Sequence, residues 1–283
     1  MIATNPPTPR IGFIGAGNLS TSLIGGLIQA GWAPDSLCAA DPSEARRQLI
    51  ADRFGLLVSP ENADIVHQAD VVVLAVKPQI MRAVATALSR ALHPDQTVVS
   101  VAAGIRGDAL GRWLSSSLGT PGIIRAMPNT PALLGVGATG LVATNAVSQT
   151  GRDTAESVFR AVGQVEWLDD EADLDAVIAV AGSAPAYFFA FIEALTRGGE
   201  ALGLSGEVSQ RLAIQTALGA ARMASETDVP VATLRERVTS PGGTTAEALK
   251  ALEAGDLDGL VRRAMDAAVA RAQTMADEFG AVD

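Results

Sequence analysis

Two stretches carry residue types that can act on a small molecule together. Val238 to Thr245 reads V-T-S-P-G-G-T-T and runs into the helical pattern A-E-A-L-K-A-L. Pro241 presets a turn, Gly242 and Gly243 bare the backbone, and Thr244 with Glu247 fits the capping-box spacing T-x-x-E. Amides and hydroxyls exposed at a helix N-terminus hold an anion, a small carboxylate as readily as a phosphate. A capped helix after a loop is the plainer reading. A cap does not require Ser-Pro-Gly-Gly and two threonines together, so the anion site is favoured.

The second stretch, Ile11 to Ser20, reads I-G-F-I-G-A-G-N-L-S, an apolar run that breaks into a glycine turn and continues as a helix. Gly15 and Gly17 allow the tight turn and the close approach of a pyrophosphate, and the helix from Asn18 aims its free N–H groups at that anion. Ser20 fills the third small position of G-x-G-x-x-G, and such a turn alone is weak evidence. Its context strengthens it: a strand precedes, the helix Leu19 to Ala30 follows, and Asp41 occupies the acidic position at the end of a second strand. A dinucleotide held there implies hydride transfer.

The missing groups narrow the reaction. His67 and His93 are the only histidines, and both fall in outer helices or loops. Lys77 follows a strand end, where contact with the nicotinamide and plain solvation are nearly balanced readings. Tyr187 and Lys250 are what the second half offers as a base, which alcohol oxidation needs. In G-S-A-P-A-Y, Gly182 to Tyr187, Pro185 suits the first turn of a helix and Ser183 its N-cap. A C=N substrate relaxes the demand for a base, because a protonated imine accepts hydride once it is held and stacked.

The elements that must position these groups follow from the apolar pattern. Strand and helix alternate through Ile11–Ile14, Leu19–Ala30, Leu37–Ala40, Glu44–Phe54, Leu56–Val58, Asn62–His67 and Val71–Val76. Ile80–Leu92, Thr97–Ser100, Arg106–Leu114 and Gly122–Arg125 continue the series. Such alternation gives an α/β fold, a Rossmann-type doubly wound parallel sheet with ligands outside the strands' carboxyl ends. There the glycine turn, Asp41, Ala75–Pro78, Ala102–Gly104 and M-P-N-T-P at 127–131 should converge. From about Val165 strands give way to alanine-rich helices, which sets a dinucleotide-binding domain over 1–164 and an all-helical domain over 165–283. Leu195, Leu202, Leu212, Ala213, Leu218 and Met223 recur at helical spacing with few charges, and the pattern favours a subunit interface over an ordinary core.

Composition sets outer limits. The chain has 283 residues, 48% of them apolar, with a formal net charge of −10 and Lys77 and Lys250 as its only lysines. That argues against a nucleic-acid partner. Cys38 is the single cysteine, so no internal disulfide and no thiolate metal cluster is expected. Met1 to Arg10 fits no signal peptide. The longest apolar stretch, Ala176 to Ile192, is interrupted by Gly182, Ser183 and Pro185 and reads as buried helix rather than a bilayer span. A cytoplasmic protein is expected.

With these residues in place, the chain resembles the pyrroline-5-carboxylate reductases over nearly its whole length. G-F-I-G-A-G-N, A-V-K-P-Q, V-S-V-A-A-G-I, R-A-M-P-N-T-P-A-L, G-S-A-P-A-Y and V-T-S-P-G-G-T-T occur in that family's order and spacing. The resemblance implies NAD(P)H-dependent reduction of 1-pyrroline-5-carboxylate to L-proline, the last step of proline synthesis. It implies a helical domain that dimerises by interleaving, with dimers often assembled into decamers. Carried over residue by residue, it places the cofactor at Gly15, Ala16, Gly17, Asn18, Leu19, Asp41, Asn62, Val76, Lys77, Pro78, Ala103 and Gly104. It places the substrate at Val238, Ser240, Gly243, Thr244 and Thr245, with Thr245 matching the threonine that hydrogen-bonds the ring nitrogen, and no metal. In the family this loop meets the partner subunit's cofactor.

Two departures stand out. Many members have Ser or Thr where this chain has Asp41, which would repel a 2′-phosphate and bind a ribose 2′-OH, tilting the cofactor toward NADH. Arg46 and Arg47 lie a few residues on and offset that tilt. The usual G-S-G-P-A-Y reads G-S-A-P-A-Y here, a mild change. A 3-hydroxyacid dehydrogenase would need a lysine on the first long helix of the second domain, and Pro185 to Leu202 has none. A catalytically silent nucleotide sensor has no use for the intact S-P-G-G-T-T loop.

Overall fold

The computed structural model describes residues 9–280. The reading of Met1 to Arg10 therefore lies almost wholly outside the described residues. Those up to Ser183, together with those from Ala268 onward, form one compact unit, and Ala184–Ala267 form a second.

The first unit is built on an eight-stranded sheet in the order β3-β2-β1-β4-β5-β6-β7-β8. β1 (Ile11–Ile14), β2 (Leu37–Ala40), β3 (Leu57–Ser59), β4 (Val71–Leu74), β5 (Thr97–Ser100) and β6 (Gly122–Met127) pair in parallel. I-G-F-I, L-C-A-A and V-V-V-L are buried at every position, because a strand covered on both faces has no polar side to alternate with. Successive residues feed two separate cores. Ile11, Phe13, Val71 and Val73 join the cluster holding Leu23, Ile24 and Leu27 of α1 (Asn18–Gln29). Ile14, Val72 and Leu74 join Met81 and Ala85 of α4 (Pro78–Leu88) and Leu110 of α5 (Gly107–Leu114). Each such large apolar side chain contributes roughly 1.5–3 kcal/mol when fully buried. With α2 (Glu44–Phe54) and α3 (Asn62–Val66), this is the doubly wound arrangement expected from the alternation.

Two strands extend the sheet beyond that expectation. β7 (Gly137–Ala143) runs antiparallel to β6, α6 (Gln149–Arg160) follows, and β8 (Gly163–Trp167) lies parallel to β7, so the sheet is mixed and not wholly parallel. β7 reads G-A-T-G-L-V-A, a composition poor in strand formers. Its glycine is needed all the same: a Cβ on Gly137 would lie 2.8 Å from that of Ala132. β8 alternates, with Val165 buried between exposed Gln164 and Glu166, and the domain boundary expected at 164/165 falls inside it.

The apolar stretch from Ala176 to Ile192 is neither broken nor buried. α7 (Asp173–Val177), a π-turn at Ile178–Gly182 and α8 (Ala184–Ala201) run as one helix of 29 residues, long and apolar enough to cross a membrane, with only 11% of its apolar window buried in this chain. Ser183 is helical, its N–H bonded to the Ile178 carbonyl at 2.7 Å, so it does not cap a new helix. Pro185 has no N–H to give the Ala181 carbonyl, four residues back. Asn129 Nδ2 donates to that carbonyl instead, at 3.1 Å, which lets the helix pass through the proline.

In the second unit, α8 packs on α9 (Gly206–Ser225), with Ser209 against Gly199. α10 (Val231–Arg237) and α11 (Thr244–Ala254) follow, and α12 (Leu257–Gly280) begins in this unit and ends in the first. Leu195, Leu202, Leu212, Leu218 and Met223 are exposed in the single chain and Ala213 is buried.

Candidate active site

The carboxyl ends of four strands are level with one another. Ile14 pairs with both Ala40 and Leu74, and Leu74 pairs with Ser100. Backbone bonds then stitch the following loops side by side: Gly15 N–H to Ala40 at 2.8 Å, Ala75 N–H to Ile14 at 2.9 Å and Val101 N–H to Leu74 at 3.2 Å. Gly15 has φ 99°, and a Cβ on it would come within 2.8 Å of the Ala75 carbonyl. That conformation and that close approach both demand glycine. The register thus brings Gly15 to Leu19, Asp41, Val76 to Pro78, Ala103 and Gly104 to one end of the sheet. Asn62 opens α3 just past β3, whose Ser59 pairs with Ala40. Gly104 also packs against Met275 of α12.

This end of the sheet fits a dinucleotide. No side chain caps α1 and no acid sits in its first turn, so its leading N–H groups and dipole are left for an anion. Beside them Gly17 faces open space, where a Cβ would meet only Arg46 Nη1 at 4.0 Å. Ser20 does more than stay small, since its hydroxyl donates to the Gly15 carbonyl at 2.5 Å and pins the turn. Lys77 is the exposed N-cap residue of α4, with Pro78 at the first helical position. Asp41 is 5% exposed, and its carboxylate accepts from the N–H groups of Ala16 and Ser43, each at 2.9 Å.

The threonine loop is built differently. Val238 closes α10 and is exposed, the Gly243 N–H closes a turn onto the Ser240 carbonyl at 3.0 Å, and Gly242 takes φ 69°. The expected capping box does not form. α11 starts at Thr244 itself, Gly243 stands at the cap without a side chain, and Glu247 pairs with Lys250 at 2.8 Å instead. Ser240 and Thr244 are exposed and Thr245 half-buried, and none of their hydroxyls has a hydrogen bond among the described residues. The N-terminus of α11 thus carries three hydroxyls with no hydrogen-bond partner among the described residues, an arrangement able to hold a small anion.

The residues considered as acid–base groups are not set up for that work. His67 and His93 are exposed, Lys250 is paired, and the Tyr187 hydroxyl is enclosed without a hydrogen-bond partner. Burial pushes the Cys38 thiol up to about 11, which keeps it a neutral core group. Asn129 is the residue sequence reasoning passed over. Its Oδ1 accepts from Ala138 N–H at 2.9 Å while its Nδ2 serves the helix at Ala181, tying β7 to the π-turn. The signal lay in Pro185, whose missing N–H requires a donor from elsewhere.

Comparison with known proteins bears on both halves. Residues 171–275 match the model for pyrroline-5-carboxylate reductase dimerisation, and residues 10–104 match that of the coenzyme F420-dependent NADP oxidoreductases. The chain is 51% identical to the pyrroline-5-carboxylate reductase of Pseudomonas aeruginosa over 96% of its own length and 99% of that protein. The chain belongs to the pyrroline-5-carboxylate reductase family. It is accordingly an oxidoreductase of proline biosynthesis, and its helical segment is a dimerisation domain. The pyrroline-5-carboxylate reductase of Coxiella burnetii superposes with a TM-score of 0.91 at 41% identity, covering 95% of this chain and 99% of that one. The Plasmodium falciparum pyrroline carboxylate reductase, solved with NADP bound, superposes with a TM-score of 0.81 at 29% identity, covering 96% and 100%. Membership of a dimerising family also explains why Phe188, Phe189, Leu212 and Leu218 are exposed in one chain.

Proposed function

We propose that the threonine loop is the substrate site of a pyrroline-5-carboxylate reductase whose cofactor lies on the glycine turn. The observation that carries this reading is the set of uncommitted hydroxyls at Ser240, Thr244 and Thr245 around the N-terminus of α11. Ser240 and Thr244 offer hydroxyls to the carboxylate of 1-pyrroline-5-carboxylate, Val238 lies beside it, and Gly243 keeps the backbone bare for its approach. Thr245 Oγ1 holds the ring nitrogen and orients the C=N bond. Gly15, Ala16, Gly17, Asn18 and Leu19 form the pyrophosphate turn, with Asp41 and Asn62 on the adenosine side and Val76, Lys77, Pro78, Ala103 and Gly104 on the nicotinamide side. Bound NADPH or NADH supplies the hydride. The imine carbon receives it, the C=N bond becomes a C–N single bond, and the already protonated nitrogen keeps its proton, so no side-chain acid is called for. Two compact units serve the reaction: the one that carries the sheet holds the dinucleotide, and Ala184–Ala267 holds the threonine loop. A decamer of five dimers and a cytoplasmic location belong to the same proposal and are supported by family membership alone.

The test is turnover. The purified chain mixed with 1-pyrroline-5-carboxylate and either nicotinamide cofactor should consume the cofactor and release an equal amount of L-proline. No substrate-dependent oxidation of NADPH or NADH, or oxidation without proline, overturns the proposal.

A further inference from the structure

Asp41 occupies the place where an acidic residue ordinarily reads the adenosine ribose and excludes a 2′-phosphate. Its carboxylate is engaged by the chain itself. Oδ2 accepts from the Ala16 N–H and Oδ1 from the Ser43 N–H, both at 2.9 Å, and Arg46 Nη1 stands 3.7 Å from Oδ2. With 5% of the residue exposed, the charge is spent inside the loop, clamping the glycine turn to the start of α2. Arg47 is also committed, since its Nη1 donates to the carbonyls of Asp41 and Pro42 at 2.8 and 3.0 Å. Arg46 is different. Its side chain is 60% exposed, and its Nη1 lies 4.0 Å from where a Cβ of Gly17 would stand, at the mouth of the turn.

We infer that Asp41 is a positioning residue that clips the glycine turn, and that Arg46 is the specificity-determining residue, reading a 2′-phosphate and making this site one for NADPH. An arginine presents a planar set of donors that a phosphate accepts, and no ribose hydroxyl replaces that charge-assisted contact. Asp41 does not oppose the phosphate, because two N–H groups and the guanidinium itself already face its carboxylate. The inference rests on the reductase reading only for the use of a nicotinamide dinucleotide.

Binding to the intact chain, measured by calorimetry, tests it without turnover. The probes are adenosine 2′,5′-bisphosphate against adenosine 5′-monophosphate, and NADP+ against NAD+. The wild-type chain should prefer the 2′-phosphorylated member of each pair. Arg46→Ala should lower that preference roughly ten- to hundredfold, and Arg46→Lys should restore part of it. Asp41→Asn, which loses charge and one acceptor, should weaken both members together and lower the unfolding temperature, with their ratio changed by less than about threefold. A preference untouched by Arg46→Ala overturns the inference. So does an Asp41→Asn chain whose preference for the 2′-phosphate rises tenfold or more, since that would make Asp41 the reader. If Asp41→Asn does not fold, the two Arg46 variants decide. Failure of the reductase reading would show differently, as normal nucleotide binding with no turnover of the imine.

Discussion

At the glycine turn the loop and side-chain polar groups have partners within the chain, and the leading N–H groups of α1 are left open. Ala16 N–H and Ser43 N–H are held by Asp41, the Ser20 hydroxyl by the Gly15 carbonyl, and the Gly15 N–H by Ala40. At the threonine loop the corresponding groups are open: Ser240, Thr244 and Thr245 keep their hydroxyls free, and α11 begins on a glycine that caps nothing. Both are helix N-termini suited to anions. One is pre-organised by a buried sheet, the other stands on an exposed turn, and a ligand must complete it. On the proposed assignment, cofactor recognition falls to the rigid turn and substrate recognition to donors whose geometry a bound carboxylate would fix.

Glycine substitutions break the comparison most sharply. Gly15→Ala puts a Cβ 2.8 Å from the Ala75 carbonyl at φ 99°, and should cost about 3 kcal/mol of stability in thermal unfolding together with most nucleotide affinity. Asn129→Ala comes next. It strands the Ala138 N–H and the Ala181 carbonyl that Pro185 cannot serve, and denaturant unfolding should record a loss of about 2 kcal/mol. Gly242→Ala acts on the open loop, where φ is 69° but a Cβ would meet nothing within 4 Å. It should cost about 1 kcal/mol and raise KM for the imine more than it alters nucleotide binding. A Gly242→Ala chain as damaged as Gly15→Ala would show that the two turns are equally constrained.

The smallest effect concerns Cys38, on the strand next to the turn. Burial pushes its thiol up to about 11, so alkylating reagents at mildly alkaline pH should leave the folded chain unlabelled and label the unfolded chain fully. The sign is that of an acid kept neutral. The folded thiol titrates above the unfolded one, so its contribution to stability is whole below the unfolded pKa and declines as pH rises toward 11.

Much of the first unit was legible because its strands are short apolar runs and its helices start where glycine, proline or serine stops the run. α2 and β5 fall where the pattern places them, Glu44–Phe54 and Thr97–Ser100. β7 was hidden by its glycines, which serve close packing that a linear pattern does not display. Pro185 and Ser183 looked like a helix start because a proline's lost hydrogen bond is local knowledge, while its remedy, Asn129, lies far away in sequence and meets it only in the fold. The T-x-x-E box failed for a similar reason: Thr244 sits one position inside the helix. At the site, residue types pointed to two glycine-rich turns, and each opens a helix that no side chain caps. Which way the Asp41 carboxylate faces was not legible, because Ala16 N–H reaches it only across adjacent strands.

One measurement bears most directly on the division between the two turns. Turnover of 1-pyrroline-5-carboxylate and nucleotide affinity should be measured side by side for wild type and Thr245→Ala. The expected result is a fall in kcat/KM of about a hundredfold, on the order of one lost transition-state hydrogen bond, with nucleotide affinity changed by less than about threefold. Unchanged turnover, or a loss of nucleotide affinity that matches the loss of turnover, would contradict the assignment of the imine to the threonine loop.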